Sequence, residues 1–258
     1  VFTTETNYIT SAEREGQSEA WTGNGFTAKK GMSWRNPGFD QTDDHPVVCV
    51  SWNDSVEFCK WLSKKTSKIV RLPTEAQWEY ACRKGYADTQ APGSLEWTWE
   101  CSEAKTHPVR QRRVSRLGIY DMLGNVQVWC SDWYGPYQAG AATDPKGPAT
   151  GTTRVLRGGS WLSQANTCRP AVRQYHRVEA RLAHWGFRIV VEGPDSDNRV
   201  AEPRSSSRPN STPLDSTNKN VLIVDADNGV AIKLALIRAG KFMMGSPARS
   251  GYIVITTR

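Results

Sequence analysis

The sequence predicts a loop-rich α+β fold with two main helices and small, twisted antiparallel sheets. Two segments combine a helix-capping pattern with an apolar stripe, whereas the strand candidates are short and separated by long loops. The 11 Trp and 21 Gly residues suit such a body, because aromatic side chains fill gaps between irregular segments. With 38% hydrophobic and 23% charged residues in 258, the composition is typical of a globular protein.

The first predicted helix lies in the segment that begins at residue 51. Asp54 is expected to cap it, with Glu57 closing a capping box three residues later. Phe58, Trp61 and Leu62 then fall on one helical face, which predicts that this face packs on the core.

The second predicted helix follows Pro73. Thr74 and Gln77 form another capping box, an apolar face follows it, and Gly85 is expected to end the helix.

The strand candidates divide the chain into three regions. Residues 153–157 and 186–191 are the best strands of a domain over 1–192, and a Pro- and Ser-rich disordered linker is expected at 193–219. Within 220–258, strands at 221–224 and 230–237 flank Asn228-Gly229, a type I′ hairpin signal.

The composition also argues against several kinds of protein and of binding site. No run approaches the ~18 apolar residues that a membrane span needs. The six cysteines contain no CxxC pair, so a structural zinc site is not expected, while disulfides stay open. The net charge of +7 includes an arginine-rich stretch, but no nucleic-acid recognition motif accompanies it, so no nucleic-acid partner is expected. Compartment and oligomeric state stay open, and the initial Val suggests that the true start is missing.

Five segments together carry a family resemblance. They are HPVVCVSWNDSVEFCKWL at 45–62, RLPTEAQWEYACRKG at 71–85, GIYDMLGNVQVWCSDWYGPY at 118–137, RVLRGGSWLSQANTCRPAVR at 154–173 and HWGFRIV at 184–190. In this order they resemble the formylglycine-generating enzyme (sulfatase-modifying factor) family. The resemblance implies a C-type-lectin-like α+β fold over residues 1–192.

The segment at 234–247 resembles the opening of the same domain, yet here it follows the linker. Residues 220–258 are therefore either the start of a second, truncated copy or a circularly permuted part of the first. The missing Met and the abrupt end favour the truncated copy.

The resemblance implies oxidation of a substrate cysteine by two thiols that hold copper(I), placed five residues apart after the GGS motif. Here these positions are Ser163 and Cys168. A hydroxyl is too hard a ligand to replace a thiolate on copper(I), so copper is not expected. Ser160 and Trp129 match the family's pocket residues and complete the candidate catalytic set, although a structural role is favoured for both.

The family's calcium loop is also altered. Its glutamate position is Val128, which leaves the carbonyl groups of Leu123, Gly124 and Val126 as ligands. Because Ca²⁺ needs carboxylate charge for useful affinity, a weak site or none is expected.

The residues between the family's anchor positions suggest a binding face, because such side chains make adaptable contacts. The candidate ligand-binding residues are Trp161, Leu162, Gln164, Gln174, Tyr175, His176, Arg177, Leu182 and His184. Their layout resembles the variable segment of lectin-fold proteins diversified by retroelements. The favoured hypothesis is a non-catalytic module that presents residues 162–185 to a protein or glycan ligand. The alternative is a formylglycine-generating or related thiol- or metal-dependent oxidase.

Overall fold

A computed structural model describes part of the chain. It describes residues 1–85, 96–140 and 142–192. It also describes the backbone of three strands, at 221–225, 231–237 and 251–255. The linker predicted at 193–219 and the turn predicted at Asn228-Gly229 lie outside the described residues.

The described α-helices all precede residue 86, and a single 3-10 turn lies at Ala165–Thr167 among the described residues. The α-helices are α1 Phe2–Thr6, α2 Ser11–Glu15, α3 Trp52–Thr66 and α4 Glu75–Gly85. None of them combines the length and the apolar character that a bilayer span requires.

The described strands form a two-stranded hairpin and one larger sheet. They are β1 Gln17–Trp21, β2 Phe26–Lys30, β3 Ile69–Arg71, β4 Gln127–Trp133, β5 Arg154–Arg157, β6 Arg173–His176, β7 Trp185–Glu192, β8 Val221–Asp225, β9 Ala231–Ile237 and β10 Gly251–Ile255. The α+β class with two main helices is thus confirmed.

The start of α3 differs from its prediction. The helix begins at Trp52, and Ser51 is its N-cap: Asp54 N–H donates to Ser51 Oγ at 3.1 Å, and Ser51 N–H donates to Asp54 Oδ2 at 2.8 Å. The prediction that Asp54 caps the helix with Glu57 is therefore wrong. Asp54 belongs to the first turn, where its other oxygen accepts from the amide of Ser11 at 2.9 Å and so holds the N-terminal segment.

The Thr74–Gln77 capping box of α4 is confirmed. Gln77 N–H donates to Thr74 Oγ1 at 3.1 Å and Thr74 N–H donates to Gln77 Oε1 at 3.0 Å. Gly85 is the last described residue of the helix, and it packs closely on Ser115, since a Cβ at Gly85 would lie 2.6 Å from Ser115 Cβ.

The larger sheet runs in the order β6-β5-β4-β7-β10-β9-β8, and β3 pairs with the end of β7. The strands predicted at 153–157 and 186–191 are β5 and β7, each within one residue at either end. The β4–β7 pair is parallel, which departs from the antiparallel sheets expected. Among the described strands, β6 forms one edge, and β7 pairs with β10 from Glu192 to Arg188.

Apolar side chains pack on both faces of this sheet. Along β4, Val128 and Cys130 face one cluster that includes α4, whereas Trp129 faces the cluster that includes α3. This alternation follows from the two-residue period of a strand that is buried on both sides. Loops 96–126 and 158–169 then lie beside the ends of β4 and β5, where the family's pocket positions meet.

Candidate functional site

The two serines at the pocket positions form a tight turn. Ser160 is fully buried, its amide donates to Ser163 Oγ at 3.1 Å, and the two Oγ atoms are 3.0 Å apart. The amide of Leu162 donates to Ser160 Oγ at 3.2 Å. Both hydroxyl groups are thus engaged in hydrogen bonds within the chain reversal.

Cys168 is packed behind this turn. Its side chain is fully buried, and its Sγ donates to the carbonyl oxygen of Gln164 at 3.4 Å. Burial raises the pKa of its thiol to about 12. The thiol stays protonated at neutral pH, although copper(I) requires a thiolate.

The donor set at positions 163 and 168 therefore does not fit copper(I). One ligand position holds a hydroxyl group that is already hydrogen-bonded to Ser160, and the other holds a buried, neutral thiol. The thiol occupies the space beside Gly159 where a side chain would lie, since a Cβ there would be 2.1 Å from Sγ.

A loop that the sequence reasoning did not single out supports this turn. The amide of Trp99 donates to the carbonyl oxygen of Ser163 at 2.9 Å, and Ser102 Oγ donates to that of Trp161 at 2.7 Å. The carboxylate of Glu100 accepts from the amide of Ala165 at 3.0 Å. Trp99 itself is 50% exposed.

Trp129 belongs to the core. It is fully buried, its ring packs edge-on against Trp185 with centroids 5.4 Å apart, and its Nε1 donates to the carbonyl oxygen of Val50. A ring enclosed in this way contacts no external ligand, so it acts as a structural tryptophan.

The altered calcium loop is closely packed. Val128 is 2% exposed and lies in an apolar cluster, so no carboxylate comes from that position. Positions for a Cβ at Gly159 and Gly124 lie 2.9 Å from the carbonyl oxygen of Leu123 and 2.8 Å from that of Trp97. The carbonyls of Leu123, Gly124 and Val126 thus lack the carboxylate that calcium needs. Within the described ranges, no group of three or more His, Cys, Asp or Glu side chains could hold a metal ion.

The candidate ligand-binding residues divide by exposure. Gln164, Gln174, Tyr175 and Arg177 are exposed, and Leu162 and His176 are half-buried. Trp161, Leu182 and His184 are 6%, 2% and 7% exposed, so the prediction that they reach the surface is wrong.

The hairpin of β1 and β2 explains this burial. Glu19 forms a bridge with Leu182, and Ser18 Oγ donates to the carbonyl oxygen of Arg181 at 2.9 Å. The Phe26 ring stacks on the His184 ring with centroids 5.2 Å apart. Burial lowers the pKa of His184 to about 3, so this imidazole is neutral at physiological pH.

Three tyrosines form an aromatic surface at β6. The Tyr175 ring stacks on that of Tyr134 with centroids 3.9 Å apart, and Arg173 lies 4.0 Å from the ring centroid of Tyr137. Tyr175 and Tyr137 are 51% and 52% exposed. Tyr134 and Tyr137 were missed by the sequence reasoning, although they flank the Gly135-Pro136 dipeptide directly after a strand.

Buried ion pairs hold β5 and β6 against α4. Arg173 donates to both oxygens of Glu75 at 2.6 and 2.7 Å, and Arg157 pairs with Glu79 and with Glu75. Arg181 likewise pairs with Glu15. These arginines of the arginine-rich stretch therefore form ion pairs within the fold.

The comparisons with known proteins agree with this arrangement. Residues 2–193 match the family described as sulfatase-modifying factor enzyme 1-like domain. The formylglycine-generating enzyme of Streptomyces coelicolor is 36% identical over 202 residues, which cover 67% of this chain and 62% of that protein. The Bos taurus enzyme of the same name is 32% identical over 236 residues, again covering 62% of its length.

Solved structures share the fold. Treponema denticola variable protein 1 aligns with a TM-score of 0.54 at 29% identity, covering 59% of this chain and 73% of that one. PvdO from Pseudomonas aeruginosa aligns with a TM-score of 0.57 at 24% identity, covering 73% of each chain. The chain thus belongs to the sulfatase-modifying factor enzyme 1-like domain family.

Proposed function

We propose that this chain is a binding module without oxidase activity, which presents the exposed part of residues 162–185 to a protein or glycan ligand. The observation that carries the proposal is the pair at 163 and 168. One member is a hydrogen-bonded serine, and the other is a fully buried cysteine whose thiol pKa is raised to about 12.

The surface proposed for binding consists of side chains that reach solvent. Gln164, Gln174, Tyr175 and Arg177 are exposed, and Tyr137 adds a further ring next to them. Tyrosine offers a large, rigid contact area at low entropic cost, and glutamine offers adaptable hydrogen bonds. The likeness to a Treponema denticola protein named as variable supports a scaffold whose surface can serve binding.

The alternative is a formylglycine-generating or related thiol- or metal-dependent oxidase that acts on a protein cysteine. The 36% identity to the Streptomyces coelicolor enzyme of that name favours it. That identity is spread over 202 aligned residues, whereas the chemistry depends on two sulfur atoms, and only Cys168 supplies one.

The catalytic alternative is tested with purified chain, cuprous ion and air on a cysteine-bearing peptide, with mass spectrometry and hydrazide capture to detect the aldehyde. We expect no aldehyde and no stoichiometric copper(I) binding in competition with a chelator. Ser163→Cys restores the second thiol and serves as the matched control. Aldehyde formation by the unmodified chain that is lost in Cys168→Ala would establish the oxidase instead.

Binding is tested on glycan and peptide arrays with the unmodified chain. We expect capture of at least one class of probe, and a loss of that capture in Tyr175→Ala and Gln174→Ala. Lys64→Ala, on the exposed side of α3, should leave it unchanged. Capture that survives both surface variants would refute the proposed location of the site.

A further inference from the structure

We propose that β6 accepts an extended, acidic peptide segment of a partner protein as an additional strand of the sheet. This inference rests on the proposed binding function and names its ligand class. Among the described strands, β6 lies at one end of the larger sheet. β5 pairs with one side of β6, and no described strand pairs with its other side. The outer backbone amide and carbonyl groups of an edge strand are a template for pairing.

The side chains of β6 are arranged for such a ligand. Residues paired across two strands share a face, so Arg173 and Tyr175 lie with Arg157 and Val155 on one side, and Gln174 and His176 lie on the other. An added strand would place alternate side chains over the tyrosine surface and over Gln174.

The tyrosine surface is held in place before any ligand arrives. Arg173 is anchored by two hydrogen bonds to Glu75 and one, at 2.9 Å, to the carbonyl oxygen of Gly135. Tyr175 is stacked on Tyr134, so its exposed ring has a defined orientation. Such preorganisation reduces the entropy lost on binding.

Charge selects an acidic partner. Arg169 and Arg177 flank β6 and are exposed, and no carboxylate among the described residues lies within ion-pair distance of either. No Asp or Glu occurs from 169 to 178, and Glu179 is the first acidic residue after the strand. Because Arg173 is already neutralised by Glu75, the remaining positive charge near β6 comes from Arg177, directly after the strand, and from Arg169, four residues before it.

The test measures fluorescence anisotropy of a labelled short peptide of alternating valine and glutamate, with the full chain at low ionic strength. A peptide with lysine in place of glutamate is the charge control. We expect the glutamate peptide to bind about tenfold tighter than the lysine peptide, because complementary charge favours the encounter and like charge opposes it. Binding of the two peptides with equal affinity, or no binding of the glutamate peptide, would overturn the acidic-strand inference.

Backbone pairing is tested with N-methylated forms of the glutamate peptide. Methylation of the alternate amides that face β6 should abolish binding, whereas methylation of the other set should leave it intact. Amide hydrogen exchange at residues 173–176 should slow when the unmethylated peptide binds. If neither set of methyl groups alters the affinity, the peptide does not add as a strand.

Protein variants separate this inference from the proposed function. Arg177→Glu should weaken the glutamate peptide about tenfold and improve the lysine peptide, whereas Lys64→Glu on α3 should change neither. If no peptide binds as expected but capture on the arrays still depends on Tyr175, strand addition is refuted and the proposed function is retained. Array capture that survives both Tyr175→Ala and Gln174→Ala would instead refute the location of the site given in the proposed function.

Discussion

Replacing Arg157 by methionine removes the cation that two buried carboxylates share. The Arg157 side chain is fully buried, it pairs with Glu79 and lies 3.3 Å from Glu75, and its guanidinium also donates to the carbonyl oxygen of Val172. Methionine fills a similar volume but offers no hydrogen-bond donor. The substitution therefore removes the hydrogen bonds and the positive charge and changes the packing little.

The magnitude follows from what remains after the change. Glu75 keeps Arg173, and Glu79 keeps Arg83, which is 31% exposed. Each carboxylate keeps one ion pair but loses the buried pair with Arg157. A hydrogen bond to a charged group contributes about 1.5–3 kcal/mol. We therefore expect Arg157→Met to lower the free energy of unfolding by about 3–5 kcal/mol, the range typical of a buried pair that is broken on one side.

Urea unfolding followed by tryptophan fluorescence measures this loss, and Trp78 lies close to Arg157 as a local reporter. Two further variants make the result specific. Arg83→Met removes the exposed partner of Glu79 and should cost less than about 1 kcal/mol. Glu79→Gln added to Arg157→Met removes the carboxylate charge that has lost its buried partner, and should restore part of the loss. A single-variant loss below about 1 kcal/mol, or no recovery in the double variant, would refute this account of the cluster.

Four other predictions concern buried groups, close packing and strand pairing elsewhere in the chain. Burial raises the pKa of Asp132 from 3.8 to about 6, so the folded chain favours the protonated carboxyl group. The resulting stabilisation is complete below about pH 4 and is lost as the pH rises through 6. Asp132→Asn should remove this part of the pH dependence of urea unfolding, and an unchanged profile would contradict the prediction. Of the six free cysteines, Cys101 is partly exposed and the other five are buried; a disulfide reagent should therefore label Cys101 first in the native chain, and Cys101→Ser should remove the fast phase. Gly159→Ala should destabilise by about 1–3 kcal/mol because its Cβ would meet Cys168 Sγ; Cys168→Ala in the same chain should recover part of that loss in thermal melts, and equal melting temperatures of the single variant and the parent would disprove the clash. We also propose that the strands within 220–258 belong to the sheet of residues 1–192, since β10 pairs with β7; deletion after Glu192 should expose the edge of β7 and promote aggregation in light scattering, and a monodisperse, equally stable product would favour a separate, truncated copy.

Local patterns carried much of the prediction. The Thr74–Gln77 box could be recognised from sequence because capping joins groups three residues apart. The first helix was located correctly but its cap was misplaced. Ser51 and Asp54 form an equally good pattern, and the contact of Asp54 with Ser11, 43 residues away, is invisible to local reasoning.

The binding surface shows the same division. Tyr175 and Gln174 were expected at the surface and are exposed, whereas His184 and Leu182 also lie between the family's anchor positions and are buried. The difference arises from the β1–β2 hairpin, which covers the second pair and comes from a part of the chain about 160 residues earlier. The tyrosine surface likewise joins Tyr134 to Tyr175 across two strands.

The sequence by itself determined the family, the two main helices, the central strands and the replacement of a thiol by the hydroxyl of Ser163. These features depend on residue identity and on interactions within a few positions along the chain. Only the tertiary structure decided that Cys168 is buried with a neutral thiol, that His184 is enclosed by aromatic rings, and that β6 is an edge flanked by exposed arginines. Burial and edge position depend on which distant segments pack against a residue, and that packing is a property of the whole fold.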